Sequence, residues 1–217
     1  MKLNDGDIVI TTMRGMFPGV IPVAVGQGAL FLTRRWWRMA SSWRSWWHFR
    51  HVAMVVDDGA SLCQAMPRGV EIVPLPEDLL TTPGTIIVRP AYACTLDASR
   101  RWLWEGERAA QAAKFYEDTP YGFLTYLKLS AAILRMPALE AWLHGLISTR
   151  RDMICSQHID QALADAGYHV FDDGRIPQDV TPAELGTGLL NRHGRHLVTG
   201  PHAPTWVSNN ARYGAKI

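Results

Sequence analysis

The chain has 217 residues, of which 47% are hydrophobic and 19% are charged. That length and apolar content suffice for one domain with a full core, and they exclude disorder as the general state. The formal net charge of +2 excludes a protein that binds nucleic acid over its whole surface. The three cysteines include no Cys-x-x-Cys pair, so neither a disulfide framework nor a four-cysteine zinc site is expected.

The first residues bear on the compartment in which the protein folds. They lack the apolar stretch of a secretory signal, so we expect synthesis and folding in a reducing cytoplasm, with action at the cell envelope left open. Residues 15–33 carry no formal charge, but Pro18, Pro22 and several glycines interrupt them. Such interruptions argue against a membrane-spanning helix.

Strand signals dominate the first half of the chain. Residues 7–12 predict a first strand, and a β-prone run begins at His51. Asp57-Asp58-Gly59 predicts a hairpin turn into the next run, which begins at Ser61. Residues 69–75 and 85–90 predict two more strands.

Beyond Asp97 the pattern changes to a helical period. We predict helices over residues 99–117, 123–136, 137–147 and 155–166. Gly167 is the expected stop of the last of these, and Thr181-Pro-Ala-Glu has the pattern of a capping box that opens one more helix. The sequence thus predicts one α+β domain over residues 1–190 and an irregular extension over residues 191–217.

Cys155 is the strongest candidate for chemistry because it stands at the first turn of a predicted helix. The unpaired N–H groups there are expected to lower the thiol pKa below about 8.5, which favours a nucleophile. A small buried residue at a helix start is the alternative. His51, held at the start of a strand, is the candidate base. His158 could form a metal pair with Cys155, but no second pair accompanies it, so a surface or capping histidine is expected.

Several short motifs together resemble a known family. In chain order they are Gly6-Asp-Ile-Val, His51-Val-Ala-Met-Val-Val-Asp-Asp-Gly, Leu62-Cys-Gln-Ala, Gly69-Val-Glu-Ile-Val-Pro-Leu, Pro120-Tyr-Gly and Ile154-Cys-Ser-Gln-His-Ile. This order, over roughly residues 5–186, resembles the circularly permuted branch of the NlpC-type papain-fold cysteine hydrolases, the YiiX-like branch to which the lecithin-retinol acyltransferases are related. The resemblance implies a permuted papain-like fold with a small antiparallel sheet packed against helices.

The resemblance also implies roles for single residues. Cys155 corresponds to the nucleophile, His51 to the general base, and Gln64 to the residue that orients the imidazole, where relatives commonly have His or Glu. An amide can accept the Nδ1 proton of the imidazole, but it stabilises an imidazolium less than a carboxylate does. Tyr121 corresponds to a tyrosine that lines the pocket or steadies the oxyanion, although an ordinary buried tyrosine remains the alternative. Ser156 is a further candidate for the pocket or for oxyanion support.

The remaining cysteines and the tryptophan-rich segment are interpreted from their periodicity. Strand alternation turns Cys63 away from Gln64, so we interpret Cys63 and Cys94 as structural. Residues Arg34–Arg50 predict a basic helix with tryptophans on one face. Such a helix fits a membrane surface, a wall over the active site, or the hydrophobic core, and the sequence leaves these three open.

The function expected from these features is thiol-dependent hydrolysis of an amide bond, in cell-wall peptide by the resemblance. One alternative is a lipid acyl hydrolase or acyltransferase that works at a membrane surface. Another is a catalytically weak binding protein of the same fold. The expected partner is a peptide or acyl substrate, and no cofactor, metal or nucleic acid is expected.

Overall fold

The computed structural model describes residues 2–12, 49–82, 85–90, 98–125, 128, 131, 136–148, 152–168, 170–171, 173–191, 194–198 and 205–208. Two predictions therefore lie wholly or largely outside the described residues: the structural role of Cys94 and the helix over Arg34–Arg50. Of that helix only its last two residues are described, and they belong to a strand. Its predicted helical form is wrong for those two positions.

Seven strands form one antiparallel sheet in the order β4-β3-β2-β1-β5-β6-β7. They are β1 (Ile8–Thr12), β2 (Phe49–Val56), β3 (Ser61–Met66), β4 (Gly69–Pro74), β5 (Thr85–Pro90), β6 (Gly194–Val198) and β7 (Thr205–Ser208). The helices are α1 (Ala98–Phe115), α2 (Pro137–Ser148), α3 (Cys155–Asp165) and α4 (Pro182–Asn191), with a 3₁₀ turn at Pro177–Asp179. The predicted α+β class with an antiparallel sheet is confirmed.

Local chemistry explains where several elements begin and end. In the β2–β3 turn, Asp57, Asp58 and Gly59 all have positive φ, at 58°, 57° and 85°, a conformation that Asp and Gly tolerate best. At the start of α4, the backbone N–H of Glu184 donates to Thr181 Oγ1 at 3.2 Å, while Glu184 Oε2 accepts from the Thr181 backbone N–H at 3.1 Å. This reciprocal pair is the predicted capping box.

The sheet buries side chains on both faces, as its alternating pattern requires. The larger hydrophobic cluster joins one face to the helices and includes Met54 from β2 with Ile159 and Leu163 from α3. A smaller cluster on the other face includes Ala53 and Val55 of β2. The helix α3 thus packs against β2, which carries His51.

The end of the chain differs from the prediction. The sequence predicts irregular structure over residues 191–217, but β6 pairs with β5 and β7 pairs with β6. The edge of β5 offers a row of backbone donors and acceptors, and pairing with β6 satisfies them. The prediction of irregular structure is therefore wrong for these two strands. In the part of the chain that the structure describes, no helix is long and apolar enough to cross a bilayer.

Candidate active site

The thiol of Cys155 lies at the first residue of α3 and is almost completely buried, with 1% of the residue exposed. The backbone N–H groups of Val52, Ser156 and Cys155 itself face the sulfur and favour its charged form. Burial nevertheless raises the pKa of the thiol to about 11, although these three donors lower it. The N–H groups at the helix start lower the pKa as expected, but the predicted net value below that of a free thiol is wrong, because removal of the sulfur from water outweighs them.

The Cys155 sulfur lies beside β2, next to the backbone of Val52, which follows His51 in the chain. The pairing of β2 with β3 runs from Ala53 opposite Gln64 to the hairpin turn, so Val52 lies just beyond the paired region. Its N–H group faces the Cys155 sulfur instead. The next residue toward the start of the strand is His51. The backbone of His51 therefore lies near the Cys155 sulfur at this end of β2, while the His51 side chain shares a face with Ala53, opposite the face that packs on α3.

The imidazole of His51 is hydrogen-bonded to the side-chain amide of Gln64. His51 Nε2 and Gln64 Oε1 are 2.9 Å apart. Because an amide oxygen only accepts hydrogen bonds, Nε2 is the donor. The sequence prediction paired Gln64 with Nδ1, and the structure corrects this to Nε2. In the neutral ring, Nδ1 then carries the lone pair that can take up a proton.

Gln64 has a second partner that the sequence analysis missed. Its Nε2 donates to Oε1 of Glu71 at 3.3 Å, across the pair that Gln64 and Glu71 form between β3 and β4. The signal was present in the sequence, since a two-residue turn at Pro67 and Arg68 puts residues 64 and 71 opposite each other. His51, Gln64 and Glu71 form one line of side chains across three neighbouring strands.

Tyr121 is held next to the segment that leads into Cys155. It forms an isolated parallel bridge with Met153, flanked by hydrogen bonds from Met153 N to Pro120 O and from Gly122 N to Met153 O, both 3.0 Å. The tyrosine ring is partly buried against the larger hydrophobic cluster. This placement is compatible both with a pocket residue and with an ordinary packed tyrosine.

Ser156 contributes differently from what the sequence suggested. Its hydroxyl is fully buried and donates to the backbone carbonyl of Val180 at 2.7 Å. Only its backbone N–H group faces the Cys155 sulfur. Oxyanion support from Ser156 would therefore come from the backbone amide and not from the hydroxyl.

His158 and Cys63 form a buried contact behind the candidate site. His158 is fully buried, and its Nε2 donates to the carbonyl of Ala113 at 3.0 Å and lies 3.9 Å from the Cys63 sulfur. Burial lowers the pKa of His158, and burial raises the pKa of Cys63 to about 12. The expectation of a surface or capping histidine is wrong, because α3 turns this position toward α1 and the sheet.

Comparison with other proteins adds no assignment to this geometry. No family model, no curated protein and no solved structure matches the chain. Within the described ranges, no group of three or more His, Cys, Asp or Glu side chains is arranged to hold a metal ion. The residues at the end of β2 and the order of the sequence motifs therefore carry the functional proposal.

Proposed function

We propose that this protein is a cysteine hydrolase of the permuted papain-like type, which cleaves an amide bond in cell-wall peptide. One observation carries the proposal: the backbone N–H of Val52, the residue that follows His51, faces the Cys155 sulfur, and the His51 imidazole is hydrogen-bonded to Gln64. The three residues to which the resemblance assigns the roles of nucleophile, base and orienting group lie on α3, β2 and β3, and α3 packs against both strands, which supports the proposal. The substrate class comes from that resemblance.

The raised pKa of Cys155 decides how the thiol is activated. With a pKa of about 11, the resting thiol is protonated near neutral pH. A preformed thiolate and imidazolium pair is therefore not the resting state that we propose. Instead, His51 Nδ1 takes the S–H proton as the sulfur attacks the carbonyl carbon, in the manner of general base catalysis.

The later steps use the same groups. The C–N bond breaks as His51 returns the proton to the leaving amine, and a thioester remains on Cys155. His51 then takes a proton from a water molecule, which attacks the thioester and releases the acid. The backbone N–H groups of Cys155 and Ser156, at the start of α3, are the candidate donors to the oxyanion.

A catalytically weak binding protein of the same fold is the second candidate. Three features favour it: the Cys155 residue is only 1% exposed, its pKa is raised, and an amide stands where a carboxylate would stabilise an imidazolium better. The two candidates differ in whether a covalent acyl group ever forms on the sulfur.

The experiment that tests the proposal looks for this acyl group. Soluble peptides from digested cell wall and a long-chain acyl ester are each incubated with the protein, and mass spectrometry locates any adduct. We expect a peptide-derived acyl group on Cys155, no turnover by Cys155→Ala, and a loss of about 10²–10⁴-fold for His51→Ala. Cys63→Ala, which removes the other described thiol, is the matched control and keeps the activity.

Each alternative predicts a different pattern. An adduct from the acyl ester alone would replace amide cleavage with lipid acyl chemistry. The absence of any adduct, with turnover equal in wild type and Cys155→Ala, would support the binding protein and overturn the proposal. A His51→Ala variant as active as wild type would remove His51 from the mechanism.

A further inference from the structure

The line of hydrogen-bonded side chains that starts at His51 does not end at Gln64. It continues to a carboxylate, that of Glu71. Glu71 lies directly opposite Gln64 in the β3–β4 pairing, and its Oε1 accepts the Gln64 side-chain N–H at 3.3 Å. Gln64 Oε1 in turn lies 2.9 Å from His51 Nε2. All three side chains lie on the same face of the sheet and are partly exposed.

The chemistry of these groups determines the direction of every hydrogen bond in the line. An ionised carboxylate only accepts, so the NH₂ group of Gln64 must face Glu71. The amide oxygen must then face His51. Because that oxygen only accepts, the neutral imidazole must carry its proton on Nε2 and its lone pair on Nδ1.

We propose that Glu71 is a positioning residue, which orients the Gln64 amide and thereby selects the Nε2–H tautomer of His51. This inference rests on the proposed function for its catalytic meaning, because the selected tautomer leaves Nδ1 as the base for Cys155. It also explains how an amide can occupy the orienting position. The negative charge of Glu71 polarises the Gln64 amide, and the polarised amide acts in turn on the imidazole of His51.

The first test measures the tautomer and needs no substrate. Two-dimensional ¹H–¹⁵N NMR of the full chain reports which nitrogen of His51 is protonated. We expect the Nε2–H form in the wild type and a smaller share of it in Glu71→Ala, where the Gln64 amide can turn over. Glu77→Ala removes an exposed carboxylate beyond the end of β4 and serves as the matched control. Glu71→Gln keeps the side-chain size if Glu71→Ala does not fold.

The second test exchanges the two groups. Gln64→Glu alone places two carboxylates directly opposite each other, and their repulsion should turn the new carboxylate away from His51 and so slow alkylation of Cys155 by iodoacetamide at pH 8. Glu71→Ala should slow it by about 3- to 10-fold, through loss of one charge-assisted contact in a partly exposed site. The double variant Gln64→Glu with Glu71→Gln returns one carboxylate and one amide to the line, and we expect it to recover the wild-type rate.

The outcomes separate this inference from the proposed function. If Glu71→Ala and Glu77→Ala give the same tautomer as wild type, the positioning role is overturned. The same holds if the double variant is no faster than Gln64→Glu alone. If Glu71→Ala shifts the tautomer but no acyl group ever forms on Cys155, the positioning role stands and the hydrolase proposal fails.

Discussion

The hydroxyl of Ser156 donates a hydrogen bond to the backbone carbonyl of Val180 over 2.7 Å, between residues 24 positions apart in the chain. Both residues are buried. Val180 directly precedes Thr181, which caps α4. The bond therefore ties the start of the helix that carries Cys155 to the start of α4.

Loss of this bond is expected to lower stability. Ser156→Ala leaves the Val180 carbonyl buried without that donor, which should reduce the free energy of unfolding by about 1–3 kcal/mol. Thr81→Ala is the control, because the Thr81 hydroxyl also donates to a carbonyl, that of Asp78, but at an exposed position. Its effect should stay below about 0.5 kcal/mol. Urea unfolding compares the two, and equal losses would contradict the importance of the buried bond.

The two described thiols are expected to differ in reactivity. Their pKa values are about 11 for Cys155 and about 12 for Cys63. Below both values, Cys155 therefore has the larger thiolate fraction. Cys155 should therefore alkylate faster, and its rate should still rise between pH 7 and pH 10. Peptide mass spectrometry measures both rates. A rate that levels off below pH 7 would indicate a preformed thiolate and contradict the buried, protonated thiol.

The buried His158 should make the protein sensitive to mild acid. Burial lowers the pKa of His158 from the ordinary 6.5. Just below pH 6.5, this histidine therefore binds a proton in the unfolded chain but not in the folded chain. Stability should fall as pH drops below about 6.5, by at most about 1.36 kcal/mol per pH unit for this one proton. His158→Gln, which can still donate to the Ala113 carbonyl, should weaken this dependence.

The control for this pH dependence is His144→Gln, because His144 is exposed on α2. Urea unfolding at pH 7 and pH 5 gives the free energies for wild type and both variants. His144→Gln should lose stability on acidification as wild type does. If His158→Gln also does so, His158 is not the group that titrates.

The sequence predicts much of the fold because several boundaries depend on local chemistry. The turn at Asp57-Asp58-Gly59 and the capping box at Thr181 each depend on residues a few positions apart, and both are present in the structure. Strand alternation likewise places the side chains of Gln64 and Cys63 on opposite faces of the sheet. The contact between Gln64 and His51 follows from these short-range patterns.

The remaining features depend on packing between distant segments. The strands β6 and β7 form on the open edge of β5, and a tail rich in Gly, Pro and His gives no alternation from which to predict them. The raised pKa of Cys155 arises because α3 packs onto β2, whereas the helix start alone predicts a lower value. Burial of His158 has the same origin. These features are tertiary, and local patterns do not encode them.

Two glycines in helices should respond in opposite ways to alanine. A Cβ on Gly106, in α1, would lie 2.5 Å from the carbonyl oxygen of Asp5, whereas a Cβ on Gly145, in α2, would meet nothing within 4 Å. Alanine is favoured over glycine in a helix by about 1 kcal/mol, so Gly145→Ala should raise the free energy of unfolding by about 0.5–1 kcal/mol. In Gly106→Ala the backbone contact must move, and such overpacking costs about 1–3 kcal/mol, which exceeds the gain in helix propensity. Calorimetric melting of both variants decides the matter: a Gly106→Ala protein that melts above wild type would show that α1 does not approach the first residues of the chain this closely.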